Sequence, residues 1–141
     1  MSSSRSWTPV APPGGVGPVG AYSPAAIAGE LVFTAGQVPQ NPETGEFEGD
    51  RPFAEQTRRT LTNLERVLEA AGSGLADVVQ VTVYLADHAD WAEFNEVYQE
   101  FFSAPFPARA VVGAELTSFR VEMTSRQLVV MRMRFCSSGS L

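Results

Sequence analysis

Arg109 is the residue of this sequence whose type and setting most favour binding chemistry. It follows Phe106-Pro107-Ala108, and the two prolines at Pro105 and Pro107 stiffen the approach to a predicted strand. A guanidinium at the start of a strand can bind a carboxylate through two parallel hydrogen bonds. A surface ion pair is the more common use of such an arginine, and the sequence alone leaves both interpretations open.

Glu122 is the second candidate, this time for acid–base chemistry. The alternation in Phe119-Arg120-Val121-Glu122-Met123 predicts that Glu122, Arg120 and Thr124 share one face of a strand. A buried carboxylate in such a place can hold and activate a water molecule. The structural alternative is a salt bridge to one of three arginines, Arg109, Arg120 or Arg126.

Tyr22, Gly36 and Gln37 form a third candidate group. A tyrosine hydroxyl can orient a substrate, and a glycine lets a backbone N–H approach a ligand closely. The alternative is an ordinary strand end.

Composition narrows the chemistry further. All ten cationic residues are arginines, so a lysine Schiff base, covalently held pyridoxal phosphate and a lysine-containing phosphate loop are excluded. One histidine, His88, and one cysteine, Cys136, make a His/Cys zinc site within one chain implausible and an intrachain disulfide impossible. We therefore expect no metal and no organic cofactor.

Charge and hydropathy bear on partners and location. The net charge of −6 argues against nucleic-acid binding, which depends on basic surfaces. No apolar run approaches the length of a membrane span, and the first residues lack a signal-peptide pattern. We expect no nucleic-acid partner, no membrane contact and a cytoplasmic location.

The chain divides into three parts. Residues 1–18 are rich in Ser, Pro and Gly and predict a flexible arm or extended strap, residues 19–135 a single domain, and residues 136–141 a loose tail.

Within the domain, the patterns predict two helices. The first lies between Pro52 and Gly72 and carries an apolar stripe of Thr57, Leu61, Leu64, Leu68 and Ala71. The second ends before Pro105; Asp87 and Asp90 are its cap candidates, and Asp90–Glu93 has the spacing of a capping box. Its aromatic residues are expected to belong to the core: Trp91, Phe94, Tyr98, Phe101 and Phe102. The patterns also predict strands around residues 21–28, 31–35 and 108–112, a strand from the period-two alternation of residues 79–85, and one long strand or two in residues 119–135.

The element order β-β-α-β-α-β-β predicts an α/β (α+β) domain with a single sheet and two helices on one face. The open face of the central strand would carry Val78, Gln80, Thr82 and Tyr84. Because that face is half apolar, we expect a homo-oligomer with binding pockets at subunit borders.

An ordered set of segments resembles the YjgF/Rid (RidA, "L-PSP endoribonuclease") family over roughly residues 19–130. The segments include Gly20-Ala21-Tyr22-Ser23-Pro24, Phe33-Thr34-Ala35-Gly36-Gln37-Val38-Pro39, Asn41-Pro42-Glu43-Thr44-Gly45, Val81-Thr82-Val83-Tyr84-Leu85 and Phe106-Pro107-Ala108-Arg109. The resemblance implies a chorismate-mutase-like fold and a homotrimer with clefts between subunits. It also implies hydrolysis of 2-imino or enamine acids to 2-keto acids and ammonia.

The resemblance assigns roles residue by residue. Arg109 would bind the substrate carboxylate, and Glu122 would position water if the loop around residues 116–118 is about two residues shorter than usual. Two positions depart from the family pattern: Ala35 stands where a hydroxyl residue is usual, and Val111 stands where a cysteine is frequent. These departures favour a specialised paralogue, as do the Ser- and Pro-rich arm and the methionine–arginine repeat Met131-Arg132-Met133-Arg134.

Three other functions remain open alongside general imine hydrolysis. The first is a dedicated pathway enzyme that acts on a specialised imine, enamine or related acyl substrate. The second is a small-acid binding module without turnover. The third is RNA cleavage, against which the acidity and the single histidine argue.

Overall fold

The computed structural model describes residues 5–129, which form one six-stranded mixed sheet and two helices. The helices are α1 (Phe53–Ala70) and α2 (Trp91–Phe101), and the strands are β1 (Thr8–Val10), β2 (Ala25–Ala28), β3 (Leu31–Thr34), β4 (Val78–Leu85), β5 (Ala108–Gly113) and β6 (Val121–Leu128). The predicted fold class is confirmed, with one strand more than the pattern indicated.

The additional strand, β1, lies in the segment predicted as a flexible arm or extended strap. Residues Thr8–Val10 pair antiparallel with β2, so this part of the segment forms the edge of the sheet. The methionine–arginine repeat at 131–134, the tail at 136–141 and Cys136 lie outside the described residues.

Helix α1 begins directly after Pro52, and the chain leaves it through Gly72, whose φ of +74° is the left-handed conformation that glycine adopts most easily. The apolar stripe predicted along this helix is buried, with Leu61, Leu64 and Leu68 fully inaccessible. Both helices therefore pack their apolar sides on the same face of the sheet.

The strand order is β1-β2-β3-β6-β4-β5, in which β4 and β5 are parallel and the other pairs are antiparallel. In the β4–β6 register, Val83 opposite Met123 faces the helices, whereas Tyr84 opposite Glu122 faces the other side. The sheet thus has a packed face and an open face.

A bulge in β4 corrects one prediction about the open face. The register shifts between Val78 and Gln80, so Val78 is buried in the core, whereas Val79 is 46% exposed. Placing Val78 on the open face was therefore wrong. Gln80, Thr82 and Tyr84 do lie there, opposite Arg126, Thr124 and Glu122.

The start of α2 corrects a second prediction. Asp90 makes no capping hydrogen bond with its side chain, so the predicted capping box is wrong. The local cap is Asp87, whose Oδ1 accepts a hydrogen bond from the Ala89 N–H at 2.9 Å. The Asp90 carboxylate binds Arg120 instead.

Neither helix within residues 5–129 combines the length and the hydropathy that crossing a bilayer requires.

Candidate active site

Glu122 projects from β6 against the backbone of Gly36. A Cβ built on Gly36 would lie 2.9 Å from Glu122 Cδ and closer still to Oε2. Only a residue without a side chain therefore allows the carboxylate to occupy its position. This close approach explains why glycine stands at position 36.

The Glu122 carboxylate is half-buried and has no partner among residues 5–129. No N–H or O–H of the described residues donates to it, and none of their salt bridges includes it. Burial raises the pKa of this carboxyl above the ordinary glutamate value. A carboxylate with raised pKa and free lone pairs is suited to accept a proton from a bound water.

Two backbone hydrogen bonds hold the Gly36 segment against β6. Gln37 N donates to Met123 O at 2.7 Å, and Met123 N donates to Gln37 O at 2.9 Å. The Gln37 side chain turns back, and its Nε2 donates to Ala35 O at 3.2 Å. Gln37 therefore fixes the loop rather than lining the pocket of Glu122.

Glu122 lines a pocket of about 310 Å³ together with three of the sequence candidates, Tyr22, Ala35 and Gly36. Within residues 5–129 the Gly36 N–H has no hydrogen-bond partner, so this donor is available to a ligand. Thr34 does not replace the hydroxyl that Ala35 lacks, because it lines a different pocket, and its Oγ1 accepts a hydrogen bond from Ser125 N at 2.9 Å. We call this pocket the carboxylate half-site.

Two aromatic rings that the sequence did not indicate form one wall of the carboxylate half-site. Phe47 and Phe119 both line it, and their ring centroids are 5.5 Å apart. Phe119 stood in the Glu122 segment, but Phe47 lies in a turn-rich stretch where no pattern distinguished it. Contacts between two distant loops leave no periodic trace in the sequence.

Arg109 lies elsewhere, between β5 and α2. Its Nη2 donates to Asn95 Oδ1 at 3.1 Å, and its guanidinium carbon is 4.7 Å from the centroid of the Tyr98 ring. Trp91 and Phe94 flank it at 5.9 Å and 5.8 Å. The aromatic cluster predicted as core is core at Phe94, but Trp91 is 44% exposed.

The Arg109 guanidinium has no acidic partner among residues 5–129, so the surface ion pair considered from the sequence is not formed there. Most of its five N–H donors are free to bind an anion. It opens on a pocket of about 380 Å³ lined by Asn95, Tyr98, Gln99, Phe106, Pro107 and Arg109. We call this the guanidinium half-site.

The two half-sites of one copy lie on opposite faces of the sheet. Arg109 pairs with Val81 on β4, and Glu122 pairs with Tyr84, three positions further along the same strand. Because side chains alternate along a strand, an odd spacing places them on opposite sides. Val111, opposite Val83, shares the Arg109 side and packs against the main core.

Arg120 corrects a prediction about Glu122. It was expected on the same strand face, but it precedes β6 and its guanidinium binds Asp90 on the helix side. Arg126 is placed over the Phe33 ring at 5.4 Å. None of the three arginines proposed as partners forms a salt bridge to Glu122. His88 is exposed and lines neither half-site.

The fold and the half-sites define a small single-sheet α/β protein with an unpaired carboxylate and an unpaired guanidinium. A family sequence model described as Endoribonuclease L-PSP matches residues 14–126. The chain belongs to this family, which is the YjgF/Rid family indicated by the sequence motifs.

Similar proteins come from all three domains of life. A RutC family protein of Pyrococcus abyssi is 51% identical over 96 residues, covering 67% of this chain and 74% of the relative. The 2-iminobutanoate/2-iminopropanoate deaminase of Dermatophagoides farinae is 39% identical over 120 residues, covering 84% and 90%. The crystal structure of Escherichia coli TdcF with bound serine superposes with a TM-score of 0.78 at 30% identity, covering 86% and 98%.

Proposed function

We propose that this protein hydrolyses 2-imino acids, and the enamines that tautomerise to them, to 2-keto acids and ammonia. The active site would be a cleft in which the carboxylate half-site of one copy faces the guanidinium half-site of another. The observation that carries the proposal is the half-buried Glu122 carboxylate, held over Gly36 without a partner in the described part of the chain.

In this mechanism Arg109 binds the substrate. Its guanidinium forms paired hydrogen bonds with the α-carboxylate of the imino acid and fixes the position of the C=N bond. Stacking on Tyr98 and the hydrogen bond to Asn95 hold the guanidinium plane in one orientation before substrate arrives. Such preorganisation reduces the entropy lost on binding.

Glu122 then acts as general base. It accepts a proton from water as the water oxygen bonds to the imine carbon, and the imine nitrogen takes up a proton to give a carbinolamine. The free Gly36 N–H and the Tyr22 hydroxyl would stabilise this polar intermediate. Loss of ammonia from the carbinolamine leaves the 2-keto acid, so one water is consumed for each ammonia released.

The separation of the half-sites argues for an oligomer. Since the sheet lies between Arg109 and Glu122 of the same chain, one copy cannot present both groups to one substrate. A homotrimer with three equivalent interfaces, as the family resemblance implies, would form three clefts of this composition. The partners are therefore a small imino or keto acid and two further copies of the chain.

The names of the similar proteins agree with this reaction. The Dermatophagoides farinae relative is named for deamination of 2-iminobutanoate and 2-iminopropanoate, and the TdcF structure holds serine, whose α-carboxylate is the group assigned here to Arg109. The second candidate, a specialised imine substrate, is favoured by Ala35 and by the Phe47–Phe119 wall, which give one side of the carboxylate half-site an apolar surface.

Two variants test the proposal. 2-Iminopropanoate is generated in situ by an amino-acid oxidase, and its hydrolysis is followed with wild type, Arg109→Ala and Glu122→Gln. We expect turnover by wild type and a loss of about 100-fold or more in each variant. Unchanged turnover in the folded variants would refute the assigned roles. Binding of pyruvate without any wild-type turnover would identify a binding module instead.

A further inference from the structure

Arg120 lies two residues before Glu122 and is held from three sides. Its backbone N–H donates to Gln56 Oε1 at 2.9 Å, and its Nε donates to Asp90 Oδ2 at 3.1 Å. A second bond joins Nη2 to Asp90 Oδ1, and the guanidinium carbon lies 5.0 Å from the centroid of the Phe53 ring. Gln56 is fully buried and Asp90 is 7% exposed.

Gln56 connects the backbone of Arg120 to the loop that contains Gly49 and Arg51. Its Nε2 donates to Gly49 O at 3.2 Å and to Arg51 O at 2.8 Å, so both its oxygen and its nitrogen are engaged. A Cβ on Gly49 would lie 2.8 Å from the carbonyl carbon of Ser118, which shows that the two loop backbones touch. These loops carry Phe47 and Phe119, the aromatic wall of the carboxylate half-site.

Asp90 connects Arg120 to the helix that forms part of the guanidinium half-site. It immediately precedes α2, the helix whose Asn95 and Tyr98 hold Arg109. Placing a carboxylate in so buried a position is unfavourable unless a cation compensates it, and the Asp90 side chain makes no capping hydrogen bond. The Arg58–Glu100 pair joins α1 and α2 with the same bidentate geometry, and its arginine is about as exposed as Arg120. Its carboxylate differs, because the Glu100 side chain is 47% exposed and that of Asp90 only 9%.

We propose that Arg120 is a positioning residue which, through Asp90 and Gln56, fixes the start of β6 and so holds the Glu122 carboxylate over Gly36. This inference rests on the proposed function, in which Glu122 activates water. Arg120 does not touch the substrate; it acts only through the placement of Glu122 and the loop beside it.

Matched variants separate positioning from stability. Arg120→Lys and Asp90→Asn weaken the Arg120–Asp90 pair, and Arg58→Lys and Glu100→Gln make the corresponding changes in the Arg58–Glu100 pair. For both of the first two variants we expect kcat to fall about 10-fold or more, because displacement of a reacting group by about 1 Å slows catalysis strongly. In Arg120→Lys, which leaves α2 unchanged, KM should stay within about twofold of wild type. For the other two, both constants should stay within about twofold of wild type.

A carboxyl titration gives a readout that needs no turnover. In protein labelled with ¹³C at glutamate carboxyls, the pKa of Glu122 in Arg120→Lys should fall towards its ordinary value, since a loosened strand start admits water. The lysine keeps the positive charge, and the titratable neighbours of Glu122, Tyr22 in its pocket and Tyr84 across the strand, are unchanged. The Glu122 titration in Arg58→Lys should match wild type.

The outcomes distinguish the two claims. If wild type hydrolyses the imine, but Arg120→Lys and Asp90→Asn change neither kcat nor the Glu122 titration, the positioning role is overturned. A lower kcat that merely follows the fraction of folded protein, with an unchanged titration, would overturn it as well. Absence of wild-type turnover would overturn the proposed function, and the titration would then decide the positioning role alone.

Discussion

Replacing Gly36 with alanine is a direct perturbation of the carboxylate half-site. The new Cβ would lie 2.9 Å from Glu122 Cδ, whereas carbon atoms in contact are about 3.5–4.0 Å apart. The carboxyl carbon must therefore retreat by at least about 0.6 Å, and Oε2 by more. Because the atoms that give way are the end of a flexible side chain and Gly36 has no positive φ, the fold should tolerate the change.

The expected effect on catalysis follows from that displacement. A shift approaching 1 Å in the general base should lower kcat/KM about 10- to 100-fold, which corresponds to about 1.4–2.7 kcal/mol of transition-state stabilisation. Stability towards urea should change by less than about 1 kcal/mol. The measurements are imine hydrolysis and urea denaturation of the same preparation.

Gly74→Ala is the matched control. A Cβ at Gly74 meets only Asp77 Oδ2, at an ordinary 3.8 Å, and the position is remote from both half-sites. Its activity should equal that of wild type. If folded Gly36→Ala protein also kept full activity, the position of the carboxylate over residue 36 would have no catalytic importance, and the reasoning would fail.

Three further perturbations give distinct results. Arg109→Lys retains the charge but loses the planar bidentate fork, so kcat/KM for imine hydrolysis should fall about 10- to 100-fold; an unaltered value would show that two-point binding is unnecessary. Because burial raises the folded-state pKa of Glu122 above its unfolded value, native protein binds this proton more tightly, and stability should decline as pH rises through the interval between the two values. Glu122→Gln should therefore gain in Tm relative to wild type as the pH rises above the ordinary glutamate pKa of about 4.3, and a Tm difference that does not change with pH would contradict the burial of this carboxyl. Tyr98→Phe removes a buried hydroxyl that has no partner among residues 5–129, so thermal denaturation should show equal or higher stability by up to about 1 kcal/mol; a large loss would reveal a partner for that hydroxyl.

The elements of this fold were accessible from the sequence because local patterns encode them. Period-two alternation in residues 79–85 and the apolar stripe of α1 each predicted an element that the structure contains. The cap at Asp87 was also indicated, but the bulge after Val78 and the loss of the predicted cap at Asp90 were not, since both depend on competition between local and tertiary partners. Asp90 illustrates this, because its carboxylate binds Arg120 rather than its own helix.

The candidate site was accessible in part. Tyr22, Ala35, Gly36 and Glu122 do share one pocket, and Arg109 does present an unpaired guanidinium. Strand alternation alone could not place Arg109 and Glu122 on opposite faces, because that requires the register of β5 and β6 against β4. Nor could it show that Phe47 lines the pocket of Glu122 or that buried Gln56 joins two loops, because these contacts form between residues far apart in sequence.

The central claim is that each active site takes Arg109 from one copy and Glu122 from another. Mixing two variants, each of which lacks one of these groups, tests this claim most directly. Arg109→Ala and Glu122→Gln proteins, each inactive alone, are denatured, combined in equal amounts and refolded. If each cleft draws one group from each of two neighbours, random assembly should restore about one quarter of wild-type activity, the product of two probabilities of about one half. Activity that stays at the level of the separate variants, in mixed oligomers verified by differential tags, would contradict a shared site.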